Sequence, residues 1–107
     1  MEYWGNFSVS YKSDLEPVPL NKIHSWTLTI KTSDGKPVTD TVIEIDGDMP
    51  EHGHGLPTQP EVTQDLGDGN YVVEGMKFSM PGWWTIKLYM RTQDKEESVT
   101  FNLLLKE

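Results

Sequence analysis

The chain has 107 residues, which matches the usual size of one domain, so residues 1–107 are expected to fold as a single domain. Seventeen acidic residues against nine basic ones give a formal net charge of −8 at pH 7, which disfavours binding to nucleic-acid phosphates. The absence of cysteine excludes disulfides and thiolate metal sites, so a metal would need His, Met, Asp or Glu as ligands. No stretch has the roughly 18 consecutive apolar residues of a membrane span, and no charged-then-apolar leader opens the chain.

Apolar and polar residues alternate in the N-terminal half of the chain, as they do in half-buried strands. The first such stretch covers residues 3–11. The clearest one covers residues 23–32, where His24 falls in phase with the apolar face. Residues 14–21 contain two prolines and are expected to connect these two strands. A third strand is expected over residues 41–46.

The second half of the chain continues with short strands separated by turn residues. Four strands are expected, over residues 62–66, 71–74, 84–90 and 98–105. Residues 67–70 predict a tight hairpin, and Gly75 predicts a bulge or a close approach of the backbone. About seven short strands without a helical window predict an all-β antiparallel sandwich.

Residues 49–60 form the most distinctive stretch of the sequence. Their glycine and proline content excludes a helix or a central strand. His52 and His54 are two residues apart, so an extended backbone would direct both imidazoles to the same side. Met49 precedes them, and Met80 lies in a later turn that we expect to meet this loop at one end of the sandwich. The loop is therefore a candidate ligand platform.

Imidazole nitrogen and thioether sulfur, without thiolate, form a donor set that suits copper, and Cu(I) in particular, better than calcium or magnesium. The predicted copper ligands are Met49, His52, His54 and Met80, with His24 and Met76 as secondary candidates. A purely structural interpretation stays open, because histidines can bond to backbone carbonyls in a tight loop and methionines often fill cores. A single histidine on an apolar face, such as His24, is usually a hydrogen-bonded core residue.

The sequence lacks the common catalytic motifs. It contains no Gly-x-Ser-x-Gly, no His-Glu-x-x-His and no phosphate-binding glycine loop. Glu51 lies beside His52, but adjacency in sequence is not the convergent geometry that acid–base catalysis requires. We therefore expect a protein that is not an enzyme.

Five short motifs occur in a fixed order: Asp34-Gly35-Lys36-Pro37-Val38, Met49-Pro50-Glu51-His52-Gly53-His54-Gly55, Gly69-Asn70-Tyr71, Glu74-Gly75-Met76-Lys77-Phe78 and Met80-Pro81-Gly82-Trp83-Trp84. Through them, residues 22–105 resemble the YtkA-like and FixH-like families of small extracytoplasmic β-sandwich domains. The resemblance implies an immunoglobulin-like sandwich from a bacterium, located in the periplasm or tethered to a membrane outside the cytoplasm. It also implies a role in copper handling or cytochrome oxidase assembly, with a membrane protein or an assembly factor as partner.

Two other functions stay open beside copper binding. The loop over residues 49–60 and an exposed tryptophan would suit a metal-free surface for protein interaction. Alternatively, Trp83 and Trp84 would serve as apolar walls of a small-molecule pocket. One of these two adjacent tryptophans is expected in the core and the other on the surface.

Overall fold

The computed structural model of the chain describes residues 2–4, 7–93 and 95–106. Within these residues the chain forms nine strands: β1 (Glu2–Trp4), β2 (Phe7–Ser13), β3 (His24–Thr32), β4 (Val42–Met49), β5 (His54–Gly55), β6 (Glu61–Gly67), β7 (Asn70–Met76), β8 (Gly82–Arg91) and β9 (Glu96–Leu105). None of the described residues belongs to a helix long and apolar enough to cross a bilayer.

The strands form two antiparallel sheets, with the orders β1-β2-β3-β7-β6 and β5-β4-β8-β9. Without the two shortest strands, β1 and β5, these orders become β2-β3-β7-β6 and β4-β8-β9. They correspond to the A-B-E-D and C-F-G sheets of a constant-type immunoglobulin domain. The predicted all-β, immunoglobulin-like sandwich is therefore confirmed, with β1 and β5 as additions to its seven strands.

The prediction of a single strand over residues 3–11 is wrong in one respect, because two strands occupy this region. β1 and β2 pair antiparallel, with Trp4 opposite Phe7. Residues 5 and 6, which join them, lie outside the described residues. Alternation of polar and apolar residues continues from one strand of a hairpin into the next, so this pattern alone does not separate one long strand from two short ones.

The predicted turn features of the β6–β7 region are confirmed. Gly67, Asp68 and Gly69 all have positive φ in the hairpin that joins the two strands. Gly75 has a φ of +92° and lies where the register between β3 and β7 shifts, as a bulge requires.

The core lies between the two sheets and consists of the alternate, inward-facing residues of the central strands. On β3 these residues include Trp26, Leu28 and Ile30, and on β8 they include Trp84 and Leu88. His24 shares the inner face of β3 and is only 3% exposed, so the prediction that it lies on the apolar face of this strand is confirmed.

One end of the sandwich gathers the segments that carry the candidate ligands. β4 and β7 end there, whereas β3 and β8 begin there. Phe78, in the connection from β7 to β8, is fully buried at this end. Its ring contacts those of His24, Trp26 and Trp84 at centroid distances of 5.9, 6.2 and 5.2 Å. This aromatic cluster closes the core beneath the predicted site.

Candidate metal site

The histidine loop, as we call residues 49–60, starts with a tight turn at the end of β4. The carbonyl oxygen of Met49 accepts hydrogen bonds from the backbone N–H groups of His52 and Gly53, at 3.0 and 2.9 Å. Gly53 has a φ of +68°, a conformation that glycine adopts without steric cost. The chain then returns as β5, with His54 opposite Met49. The stretch expected to be only a loop therefore includes a short edge strand.

The far end of the loop is held by close packing against β4. The backbone N–H of Leu56 donates to the carbonyl of Gly47 at 3.2 Å. A Cβ atom on Gly47 would lie 2.5 Å from Cγ of Leu56. The leucine side chain thus occupies the space that any larger residue at position 47 would need.

The two imidazoles of the loop lie side by side on the surface. His52 and His54 are both exposed, and their ring centroids are 6.0 Å apart with an interplanar angle of 28°. Two imidazoles that share one ion, each nitrogen at about 2 Å from it, have ring centres at most roughly 6 Å apart. The observed separation is within this limit, but the two rings are stacked, so at least one of them would have to rotate to direct its nitrogen at a shared ion.

Two interactions fix the ring of His54. Its Nδ1 donates to the carbonyl of Gly55 at 3.2 Å, so the lone pair of the neutral ring lies on Nε2. The ring also meets Trp84 edge to face, at a centroid distance of 5.8 Å. The indole N–H of Trp84 in turn donates to the carbonyl of Met80 at 3.0 Å. Trp84 therefore links the histidine loop to the turn that carries Met80.

The two predicted methionine ligands differ in exposure. Met49 is fully buried, and its Cε lies 3.0 Å from where a Cβ on Gly82 would be. Met80 is half-buried in the turn that leads into β8. The four predicted ligands thus lie at one end of the sandwich, as two exposed imidazoles, one half-buried thioether and one buried thioether.

The secondary candidates, His24 and Met76, lie deeper in the same end. They are partners in the register between β3 and β7, and both are buried. Ring contacts lead from His24 to Phe78, then to Trp84 and finally to His54. His24 is therefore connected to the loop only through two buried rings in this series of contacts.

Within the described ranges, no group of three or more His, Cys, Asp or Glu side chains converges as a metal site would require. This excludes a preformed three-ligand site of imidazole and carboxylate groups, of the kind that zinc or calcium uses, in that part of the chain. Thioether sulfur, backbone carbonyls and water are not among these groups and would be further donors.

The adjacent tryptophans divide between core and surface as predicted. Trp84 has no exposed area, whereas Trp83 is 38% exposed. Opposite Trp83 on β9 lies Leu104, which is 71% exposed. The alternation of Val99, Phe101, Leu103 and Leu105 implies that Leu104 faces outward, but sequence analysis did not single it out. Trp83 and Leu104 together form an exposed apolar patch close to the end of the sandwich that carries the histidine loop.

Comparison with known proteins identifies the family. A family model described as YtkA-like matches residues 7–89, which include β2 to β7, the histidine loop and most of β8. Neither a curated protein nor a solved structure matches the chain. The resemblance to the FixH-like family stays a prediction. Because the YtkA-like model covers most of the chain, including both segments that carry the candidate ligands, the chain belongs to the YtkA-like family.

Proposed function

We propose that this protein is a non-enzymatic, extracytoplasmic copper-binding domain. Its site would lie at the end of the sandwich where residues 49–60 meet residues 78–83. The observation that supports this proposal best is the exposed pair of His52 and His54, whose ring centroids are 6.0 Å apart beside the turn of Met80.

The donor atoms favour the reduced ion. The hydrogen bond from Nδ1 of His54 to a backbone carbonyl leaves Nε2 as the metal-binding nitrogen, as in most metal-ligating histidines. Thioether sulfur from Met80 would favour Cu(I) over harder cations. The formal charge of −8 would raise the local concentration of cations without selecting among them.

The two methionines are expected to contribute unequally. Met80 is half-buried, so its thioether is partly accessible to an ion, whereas Met49 is enclosed beneath Gly82. We therefore expect Met80→Leu to weaken Cu(I) binding more than Met49→Leu does. Equal losses would mean that the turn over residues 80–82 opens to admit the ion to both sulfurs.

The exposure of the imidazole pair suits exchange of the ion with another protein. We propose a partner in copper handling or in cytochrome oxidase assembly, either a membrane protein or an assembly factor. This partner, and a location in the periplasm or at a membrane outside the cytoplasm, rest on the family resemblance.

A Cu(I) titration of the full chain, under reductant and against a competing chelator, tests the proposal. NMR signals of the methionine methyl groups and the histidine rings are followed to saturation. We expect the signals of His52, His54 and Met80 to shift and to saturate at one equivalent in the wild type, and the shift at Met80 to be absent in the variant that combines His52→Ala and His54→Ala. His52 is exposed, so its replacement should cost less than about 0.5 kcal/mol of stability. The replacement of His54 also removes its edge-to-face contact with Trp84 and should cost about 0.5–1.5 kcal/mol. Glu51→Gln, an exposed change in the same loop, is the matched control and should bind like the wild type. A shift at Met80 that is unchanged in the double variant would refute the site at the loop.

The apolar patch of Trp83 and Leu104 supports a second candidate function, a metal-free surface for protein interaction. In that case neither methionine nor histidine signals would respond to one equivalent of metal, and Trp83→Ala would reduce binding to a protein partner. The small-molecule alternative has less support, because Trp84 is fully buried and cannot line an open pocket.

A further inference from the structure

One nitrogen of the buried His24 ring has no hydrogen-bond partner among the residues that the structure describes. Nδ1 lies 3.0 Å from the carbonyl oxygen of Lys22, and since a carbonyl only accepts, Nδ1 carries the proton. The lone pair of the neutral ring is therefore on Nε2. This atom is buried and unpaired within the described residues. A buried polar atom without a partner destabilises the fold and calls for an explanation.

The His24 ring makes the same kind of hydrogen bond as most metal-binding histidines. In most metal sites the histidine donates one ring N–H to a carbonyl or carboxylate, which fixes the tautomer and directs the other nitrogen to the ion. His24 has this arrangement through Lys22, and His54 has it through Gly55.

A soft donor lies directly across from His24. Met76 is its partner on β7, and the bulge at Gly75 sets this register. Directly opposed residues on neighbouring antiparallel strands share a face, with Cβ atoms about 4.5–5.5 Å apart. Met76 has no exposed area, and His24 is 3% exposed. An imidazole and a thioether are thus paired inside the sandwich.

We propose that Nε2 of His24 and Sδ of Met76 form a second, buried site for a soft monovalent cation, Cu(I) or its analogue Ag(I). One nitrogen and one sulfur suit a soft ion that accepts few ligands. A single positive charge costs less to bury than a double one. This site does not depend on the exposed pair, since Phe78 and Trp84 separate His24 from His54 in the series of ring contacts.

A buried water is the competing explanation. The indole Nε1 of Trp26 is also buried, with no partner in the described part of the chain. Trp26 lies two residues from His24 on the same inner face of β3. A water that accepts from Trp26 and donates to His24 would satisfy both atoms.

The test uses the full chain with His52→Ala and His54→Ala, which removes the exposed imidazoles and leaves His24 and Met76 in place. Ag(I) is added up to two equivalents. Nitrogen-15 signals of the His24 ring and the carbon-13 methyl signal of Met76 are recorded. We expect both to shift together and to saturate at one equivalent. Met76→Leu in this background should weaken binding at least about tenfold, because it conserves volume but removes the sulfur. Met90→Leu, a buried methionine on β8, is the matched control and should leave the affinity unchanged.

The outcomes separate this site from the proposed function. If the wild type takes up two equivalents and the double-histidine variant takes up one at His24 and Met76, both sites stand. Saturation of the wild type at His24 and Met76 alone supports the buried site and refutes the exposed one. If the variant takes up none, or its His24 signal instead shows contact with a retained water and no response to Ag(I), the buried site is refuted.

Discussion

Replacement of Gly47 by alanine is predicted to displace the histidine loop. Gly47 has no positive φ, so alanine suits its backbone, and the effect would come from packing alone. The new Cβ would lie 2.5 and 2.6 Å from Cγ and Cδ1 of Leu56, and 3.0 Å from Cδ1 of Ile86. Carbon atoms do not approach so closely, so Leu56 must move away from β4.

The expected cost follows from this overlap. Forcing an extra carbon into a well-packed position typically costs about 1–3 kcal/mol. In a domain of this size each kcal/mol lowers the melting temperature by about 4–8 °C. Because Leu56 anchors the segment that follows His54, Gly47→Ala should also weaken Cu(I) binding at the loop.

A double-mutant cycle monitored by thermal unfolding isolates this contact. Leu56→Ala alone should cost about 1–2 kcal/mol, since the side chain is half-buried. The variant with both changes should lose less free energy of unfolding than the two single variants lose together. The difference should be about 1 kcal/mol or more, because the clash with Leu56 disappears. Losses that add within about 0.5 kcal/mol, or a Gly47→Ala variant as stable as the wild type, would refute the reasoning.

Other substitutions test the fold around the site. Tyr71→Phe leaves the carbonyl of Val38, which now accepts from Tyr71 at 2.8 Å, without its donor; urea unfolding should show a loss of about 1–3 kcal/mol, and no loss would contradict this role. Burial raises the pKa of Tyr71 above its ordinary value of 10.0; a backbone hydrogen bond from Thr41 lowers this pKa in part, and the charges of Asp65 and Asp40 raise it again. The folded protein then keeps a proton that the unfolded chain has lost, so stability should be full below about pH 10 and fall as the pH rises through the folded pKa. This loss of stability at alkaline pH should be smaller in Tyr71→Phe. An equal loss in the variant would mean that other groups cause the pH dependence. Gly69→Ala places a Cβ against the carbonyl oxygen of Ile30 at a φ of +81°, and should cost more than about 2 kcal/mol. Gly35→Ala, with a φ of +87° but open space around it, is the control and should cost only about 1 kcal/mol, so equal losses would refute the clash.

Residue alternation predicted the sandwich well because most strands have one face in the core. Trp26, Leu28 and Ile30 identified the inner face of β3, and the same period placed His24 inside. The same alternation predicted that one of the adjacent residues Trp83 and Trp84 lies in the core and the other on the surface. These predictions needed no long-range information, since a strand with one buried face carries its orientation in its own sequence.

The candidate site was less predictable, because its geometry depends on contacts between distant segments. Met49 continues the inward phase of Ile43 and Ile45, but Gly47 interrupts the apolar series, and the methionine was assigned to the loop. β5 forms only because the edge of β4 offers it backbone partners, which two residues cannot signal by themselves. The unpaired nitrogen of His24 follows from its surroundings in three dimensions and has no sequence pattern.

The contact between Trp84 and His54 gives the protein an internal optical reporter. A buried indole emits with little interference from solvent, yet this one touches an imidazole at the surface. An ion that binds to His54 would therefore lie close enough to quench the emission of Trp84. Trp83→Phe removes the exposed neighbouring fluorophore, and Trp4 and Trp26 then add emission of their own. The arrival and departure of copper at the loop should be visible in real time as a partial quenching of the total emission, without any attached dye.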